Sequence, residues 1–341
     1  MLFSTSGFVQ KPVGVQTFPA TNTHPPLRVF YPCSPNTGSF SWLAENGVPY
    51  YLQGFIRMGS KSSLLLPFIY LISFLIPVRW RRLPSVFPNA PPITATTKRP
   101  AIVFSHGLTG TGQEHALLLA TWASLGYTVV SVHHTDGSSS RVRLADGSHL
   151  DYDPGPSYQN YDANFRPRQI EQRATEIAQA CAFCESQWGV PLHWTVAGFS
   201  YGAATAARVL SQRSWAAAVF LDGWFYIDVS QTAQVEFPFP KQAFVDGALS
   251  QLPCVFVNSE EFANYPKLFR ATKQHAKGHP LHVIQGTGHQ NFCDVIFWMP
   301  QFLLKRILGR ALGPRDPLEA YREIVDITTQ FLVRNLSKKN T

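Results

Sequence analysis

Among the residues able to do covalent chemistry, Ser200 has the most informative setting. It sits in Gly198-Phe199-Ser200-Tyr201-Gly202, after an apolar run (His193 to Ala197) and before an Ala-rich one. That order predicts strand, tight turn and helix, with the serine on the turn. In such an elbow the flanking glycines leave room where any Cβ would clash. Ala203, Ala204, Ala206 and Ala207 would let the helix pack closely on the sheet. A serine hydroxyl is a poor nucleophile until a base takes its proton and an acid orients that base. Four histidines follow Ser200: His275, His279, His282 and His289. His282 falls in a predicted strand, and His275 and His279 lie in the basic, polar stretch before it. His289 lies in a glycine-rich loop after the last strand, and is the candidate base. For the acid, Asp222 ends the next strand after the nucleophile helix, while Glu260 and Glu261 end the strand beyond. Spacing alone favours the glutamates slightly, with Asp228 and Asp294 as weaker rivals. An oxyanion needs two backbone N–H donors, one from the residue after the nucleophile and one from an earlier loop. Tyr201 and Leu108, the latter in Phe104-Ser105-His106-Gly107-Leu108, fill those positions.

His106 and the pair His133-His134 could be read as metal ligands, but no carboxylate or cysteine cluster at ligand spacing accompanies them. No metal and no cofactor is called for. The five cysteines are odd in number and widely spread, so no disulfide framework is expected. Cys181 and Cys184 belong to one apolar helical face with Ile170, Ala174, Ile177 and Trp188, which reads as core.

The elements that must position these residues alternate from Pro100 onward. Strands are predicted at Ala101 to Phe104, Tyr127 to Val132, His193 to Ala197, Ala216 to Leu221, Cys254 to Asn258 and Leu281 to Ile284. Helices are predicted at Glu114 to Leu125, across the Cys181 face, from Gly202, and at Pro317 to Leu336. A polar loop is read from Thr135 to Asn164. Alternation of this kind implies an α/β fold, a mostly parallel central sheet with helices on both faces. Ser, then acid, then His is the order of the α/β-hydrolase fold. We expect one domain over 1–341, with 1–99 an N-terminal extension and 100–341 the catalytic core. Within 1–99 only Leu27 to Tyr31 reads as a strand.

The chain of 341 residues is 45% hydrophobic and 15% charged, with a formal net charge of +8. Disorder is excluded by that composition, and the 23 Gly and 26 Pro follow no repeating period. Between Asn46 and Gln113 there is no Asp or Glu, while Arg57, Lys61, Arg79, Arg81, Arg82, Lys98 and Arg99 are all basic. These charges flank Ser62 to Val78, seventeen uncharged and mostly apolar residues. The run is slightly short for a membrane span and carries Pro67 and Pro77. A helix lying in the membrane interface is favoured over a buried core helix or a span. Nucleic acid is not expected as a partner, because no basic stripe with interleaved aromatics belongs to a known reader motif. Met1 to Gln10 has neither a signal-peptide pattern nor a Met-Gly start. Cytoplasmic residence with peripheral membrane association is expected; secretion, weakly suggested by the Asn335 to Ser337 sequon, is the alternative.

Taken together, these stretches resemble the platelet-activating-factor acetylhydrolases of the plasma and intracellular type II kind, calcium-independent phospholipases A2. The resemblance rests on Phe104 to Leu108, Gly126 to His134 with Asp136-Gly137-Ser138, and Gln169 to Ala174. It continues through Gly198 to Gly202, Leu221-Asp222-x-Trp224, Val257-Asn258-Ser259-Glu260 and His289-Gln290-Asn291-Phe292. It implies Ser200 as nucleophile, Asp222 as acid, His289 as base, and Leu108 and Tyr201 as oxyanion donors. The implied reaction is hydrolysis of the sn-2 ester of glycerophospholipids with short or oxidised acyl chains. A general carboxylesterase or lipase, or a lipid-bound scaffold with an idle site, are the alternatives. The resemblance also implies docking on an anionic membrane or lipoprotein surface. Leu64, Leu65, Phe68, Ile69, Leu71, Ile72, Phe74 and Leu75 would form one docking segment, and Phe297 and Trp298 would belong to a second. Tyr201 departs from the family's usual Phe before the last glycine, and segment 62–78 is longer and more apolar than its counterpart.

Overall fold

A computed structural model describes residues 2–42, 47–59, 81–93, 99–156, 162, 164–188, 192–225, 240, 247–250 and 252–337. Segment 62–78, with Leu64, Leu65, Phe68, Ile69, Leu71, Ile72, Phe74 and Leu75, lies outside the described residues, as does Asp228. The β-branched and aromatic runs pair into a nine-stranded sheet: β1 (Val13–Phe18), β2 (Leu27–Pro32), β3 (Val86–Pro88), β4 (Arg99–Ser105), β5 (Thr128–Val132), β6 (Leu192–Phe199), β7 (Ala217–Leu221), β8 (Cys254–Ser259) and β9 (Leu281–Ile284). The order is β9-β8-β7-β6-β4-β5-β2-β1-β3, and only β2 runs against its neighbours. All six strands expected from residue 100 onward are present. Three more come from the first hundred residues, so the sheet begins well before residue 100. β3 is three residues long and carries no period a sequence could display. Within the stretch read as a polar loop, Arg141–Arg143 and His149–Asp151 pair as a small antiparallel hairpin.

The helices are α1 (Gly47–Gly59), α2 (Ala116–Ser124), α3 (Phe165–Trp188), α4 (Tyr201–Arg208), α5 (Glu260–Ala263), α6 (Pro266–His275), α7 (Gln301–Leu312) and α8 (Pro317–Ser337). Because side chains alternate along a strand, each strand feeds two cores. Ile102 and Phe104 of β4 pack with Leu117 of α2 and Ile324 of α8 on one face. Ala101 and Val103 pack with Ile177 of α3 and Ala204 of α4 on the other. Cys181 and Cys184 are buried in that second core, and all five cysteines are free. Among the described residues no helix is long and apolar enough to cross a membrane.

One buried carboxylate ties the loop after β9 to the rest of the molecule. Asp294 accepts hydrogen bonds from Trp42 Nε1 (2.8 Å), the Leu117 backbone N–H (2.6 Å) and Tyr321 Oη (2.6 Å). It is fully buried and has no contact with the catalytic candidates, which removes it from the list of acids. Anchored this way, the short turn Asp294–Phe297 drives its aromatic residues inward. Phe297 is fully buried, stacked on Trp42 and edge-on to Tyr321, and Trp298 packs edge-on to Tyr51. This corrects the expectation that Phe297 and Trp298 face lipid: both are committed to the protein's own packing. The exposed apolar side chain of this region is Phe302 on α7, 72% accessible.

Burial pushes the Asp294 carboxyl from 3.8 up to about 7. The folded chain therefore binds this proton more tightly than the unfolded chain. That contribution to stability is complete below about pH 4 and is lost as pH rises through 7. Asp294→Asn imitates the protonated acid, with an amide N–H to offer Tyr321 Oη. Between pH 5 and 8 the melting temperature of the variant should fall less than that of the wild type. Parallel melting curves across that range would contradict this account.

Candidate active site

The strand-to-helix turn after β6 is held by contacts that only small residues permit. A Cβ on Gly198 would collide with the carbonyl of Gly202, and a Cβ on Gly202 would collide with the carbonyl of Ser105 on β4. Ser200 between them has φ 57° and ψ −120°, a region that non-glycine residues seldom occupy. Its N–H is bonded to the Leu221 carbonyl (2.9 Å), and its carbonyl accepts from Trp224 N–H (3.0 Å). The turn thus locks to the end of β7, where Asp222 begins the next loop.

Asp222 is fully buried, with φ 44°. Its Oδ2 meets His289 Nδ1 at 2.7 Å and accepts from Ser259 Oγ at 2.8 Å, while Oδ1 accepts the Ser259 N–H at 2.7 Å. The structure therefore brings Ser200 and His289 to one cleft, with His289 Nδ1 on the Asp222 carboxylate. The rival glutamates hold the histidine's loop. Glu260 Oε2 accepts the Gly286 N–H (2.8 Å), and Glu261 Oε2 accepts the His289 N–H (2.7 Å). The imidazole lies between two phenyl rings, 4.5 Å from Phe199 and 4.2 Å from Phe262, both nearly parallel to it. Stacking on both faces leaves the ring no room to rotate away from Asp222. Phe262 and Ser259 escape sequence reasoning, because one Phe on a four-residue helix and one Ser at a strand end carry no period.

The other histidines after Ser200 stay apart from this group: His275 is buried against Phe225, and His282 lies within β9. His106 and His134 are buried beneath the loop after β4. The His106 ring uses Nδ1 toward the Gly107 carbonyl (2.7 Å), and its Nε2 accepts the His134 N–H (3.2 Å). Burial presses its pKa well below the ordinary value, so the ring is neutral. His134 bridges Ser105 Oγ (2.8 Å) and Glu176 (2.6 Å). Among the described residues no cluster of three metal-ligating side chains occurs.

The same loop is carried by Arg173, fully buried on α3. It pairs with Asp136 at 3.0 Å, donates Nη1 to the His106 carbonyl at 2.7 Å, and lies 4.8 Å from the Tyr201 ring centroid. The next residue, Gly107, lies against the serine: a Cβ on it would come within 3.1 Å of the Ser200 Cβ. Neither the Leu108 nor the Tyr201 N–H has a protein acceptor among the described residues. The hydroxyl that distinguishes Tyr201 from the family's Phe donates to the Arg166 carbonyl at 2.9 Å, adding a tie to α3. Arg173 was detectable in the sequence: it lies three residues after Ile170 and one before Ala174, a lone cation on an apolar face.

Ser200, His289 and Leu108 line the floor of a cleft of about 610 Å³. Its walls are largely apolar: Tyr51 and Phe55 from α1, Trp224, Phe262, Trp298, Met299, and Leu308 from α7. Glu114, also in the wall, accepts from the Thr111 N–H and hydroxyl and closes the loop after β4 on itself.

Asp222 and Glu261 are both carboxylates beside His289, and substitution separates them. Asp222→Asn should lower kcat by roughly 10³–10⁴, since the amide cannot hold the productive tautomer. Glu261→Gln keeps an oxygen acceptor for the backbone N–H and should cost less than about tenfold. Steady-state kinetics on a soluble ester decides between them, and a reversed ranking would reinstate the glutamate.

The model of the family described as platelet-activating factor acetylhydrolase, isoform II, matches residues 10–187 and 192–341. The chain is 26% identical to platelet-activating factor acetylhydrolase of Cavia porcellus, over 88% of this chain and 69% of that relative. To that of Canis lupus familiaris it is 24% identical, over 82% and 65%. The match thus spans about two thirds of each relative's length. A solved structure of ferulic acid esterase from Streptomyces cinnamoneus superposes with a TM-score of 0.59, covering 95% of this chain and 90% of its own, at 18% identity. That likeness speaks for the fold. The chain belongs to the platelet-activating factor acetylhydrolase isoform II family and is a carboxylic ester hydrolase of the α/β-hydrolase fold.

Proposed function

We propose that the chain hydrolyses the sn-2 ester of platelet-activating factor and of other glycerophospholipids carrying short or oxidised acyl chains, at Ser200. The observation that carries this reading is the placement of Ser200 and His289 on the floor of an apolar cleft, with Asp222 bonded to the imidazole. Ser200 Oγ attacks the ester carbonyl while His289 Nε2 takes its proton, and Asp222 steadies the imidazolium that forms. The Leu108 and Tyr201 N–H groups bind the oxyanion; loss of one such donor typically costs roughly 10²–10³ in kcat. His289 then returns the proton to the departing lysophospholipid oxygen. Water, activated by the same ring, hydrolyses the acyl-enzyme and releases the carboxylate.

Approach from an anionic membrane or lipoprotein surface is part of the proposal. Support comes from the cleft's walls: α1 leads directly into the basic-flanked segment 62–78, and α7 carries the exposed Phe302 beside Lys305, Arg306 and Arg310.

Purified wild type and Ser200→Ala should be compared on phospholipids of increasing sn-2 chain length and on a soluble p-nitrophenyl ester, with flotation on anionic vesicles. The wild type should prefer short sn-2 chains, float with the vesicles, and lose all hydrolysis in Ser200→Ala. Equal rates on the soluble ester and the lipid, with no effect of vesicles, would make the chain a general esterase. Hydrolysis that survives Ser200→Ala would overturn the assignment of the site.

A further inference from the structure

A second cavity, of about 470 Å³, opens on the far side of the loop after β4. Gly107 to Gly110 face the catalytic cleft, whereas Thr111 to Gln113 face this one, together with the ends of β1, β2 and β5. No Asp or Glu lines it, although Arg28 and Arg143 both do. Arg28 is buried, with Nη1 on the Trp42 carbonyl (3.1 Å). Arg143, at the exposed rim, has no carboxylate partner among the described residues.

Two neutral polar side chains also face the cavity. Gln113 and Ser131 are 7% and 3% accessible, yet neither side chain has a hydrogen-bond partner among the described residues. Two polar side chains that keep their hydrogen-bonding groups open to one cavity, beside an arginine without a carboxylate partner, suit a polar ligand. His133 in the same wall is held neutral, its pKa pressed to about 3 by burial, His134 and Arg28, so the positive charge comes from the two arginines. The rest of the wall is apolar, including Phe18, Pro26 and Leu27.

We infer that this cavity binds a small organic carboxylate. The anionic head would lie between Arg143, Gln113 and Ser131, and the short aliphatic body against Phe18, Pro26 and Leu27. Arg143 accounts for the charge preference, since a guanidinium pairs with both oxygens of a carboxylate. The apolar half of the wall accounts for a body longer than the head alone. The inference stands on this cavity's own residues and does not depend on the reaction at Ser200.

Saturation-transfer NMR with butyrate tests it, using protein whose Ser200 has been blocked with an organophosphonate so that the catalytic cleft does not contribute. Inorganic phosphate and n-butanol serve as head-only and body-only probes. Butyrate should bind more tightly than either probe, and Arg143→Gln and Gln113→Leu should each weaken it by about tenfold, the scale of one charge-assisted hydrogen bond. Arg143 is at the surface, so its variant should melt with the wild type. Butyrate binding that survives both substitutions, or is matched by phosphate or by n-butanol, overturns the assignment.

Discussion

A serine held at φ 57° between two glycines is the constraint around which the rest of this molecule is arranged. The conformation is unfavourable on its own, by an amount on the order of 1–3 kcal/mol. It persists because β6 and α4 pack so closely on β4 that no other path for the chain fits. The Ser200 N–H is bonded to the last residue of β7, and Asp222, the next residue, also has a positive φ. Two uncommon backbone conformations are therefore fixed by one parallel sheet. Both residues meet His289's surroundings: Ser200 lines the same cleft, and Asp222 bonds the imidazole.

Positioning on the other side comes from charge. Arg173 and Asp136 are both fully buried, and removing either would leave an uncompensated ion in the interior, which typically costs about 3–5 kcal/mol. Their pairing places a guanidinium where it can hold the His106 carbonyl and cover the Tyr201 ring. The loop after β4, from which the proposed oxyanion donor Leu108 comes, is thus held by helix α3. His289 is fixed by a third means, a stack between Phe199 and Phe262 with Glu261 on its backbone N–H. Strain, a buried ion pair and aromatic stacking each fix one part of the site.

Much of this was legible in the sequence because it is local. The elbow, the six strands from residue 100 onward and the Cys181 face follow from spacing alone. The acid did not. Asp222, Glu260 and Glu261 all end strands that enter the site, and only their three-dimensional roles separate them: one touches the imidazole and two touch the backbone of its loop. The resemblance to the family selected Asp222 where spacing leaned the other way. Phe297 and Trp298 were misread for a related reason. An apolar run after the catalytic histidine looks the same whether it faces lipid or core, and what turns it inward is Asp294, bonded to Trp42 252 residues away in sequence. Strands β1 and β3 also depend on distant partners, β1 pairing with both β2 and β3.

The proposal rests on Ser200 as the catalytic nucleophile, activated by His289 and Asp222. Mass spectrometry after reaction with a fluorophosphonate tests it most directly. The account predicts a single phosphonyl group per chain, carried on Ser200, with labelling slowed in Asp222→Asn because the histidine then fails to take the serine proton. A label on any other residue, or an unlabelled Ser200 in protein that still hydrolyses its ester, would contradict it.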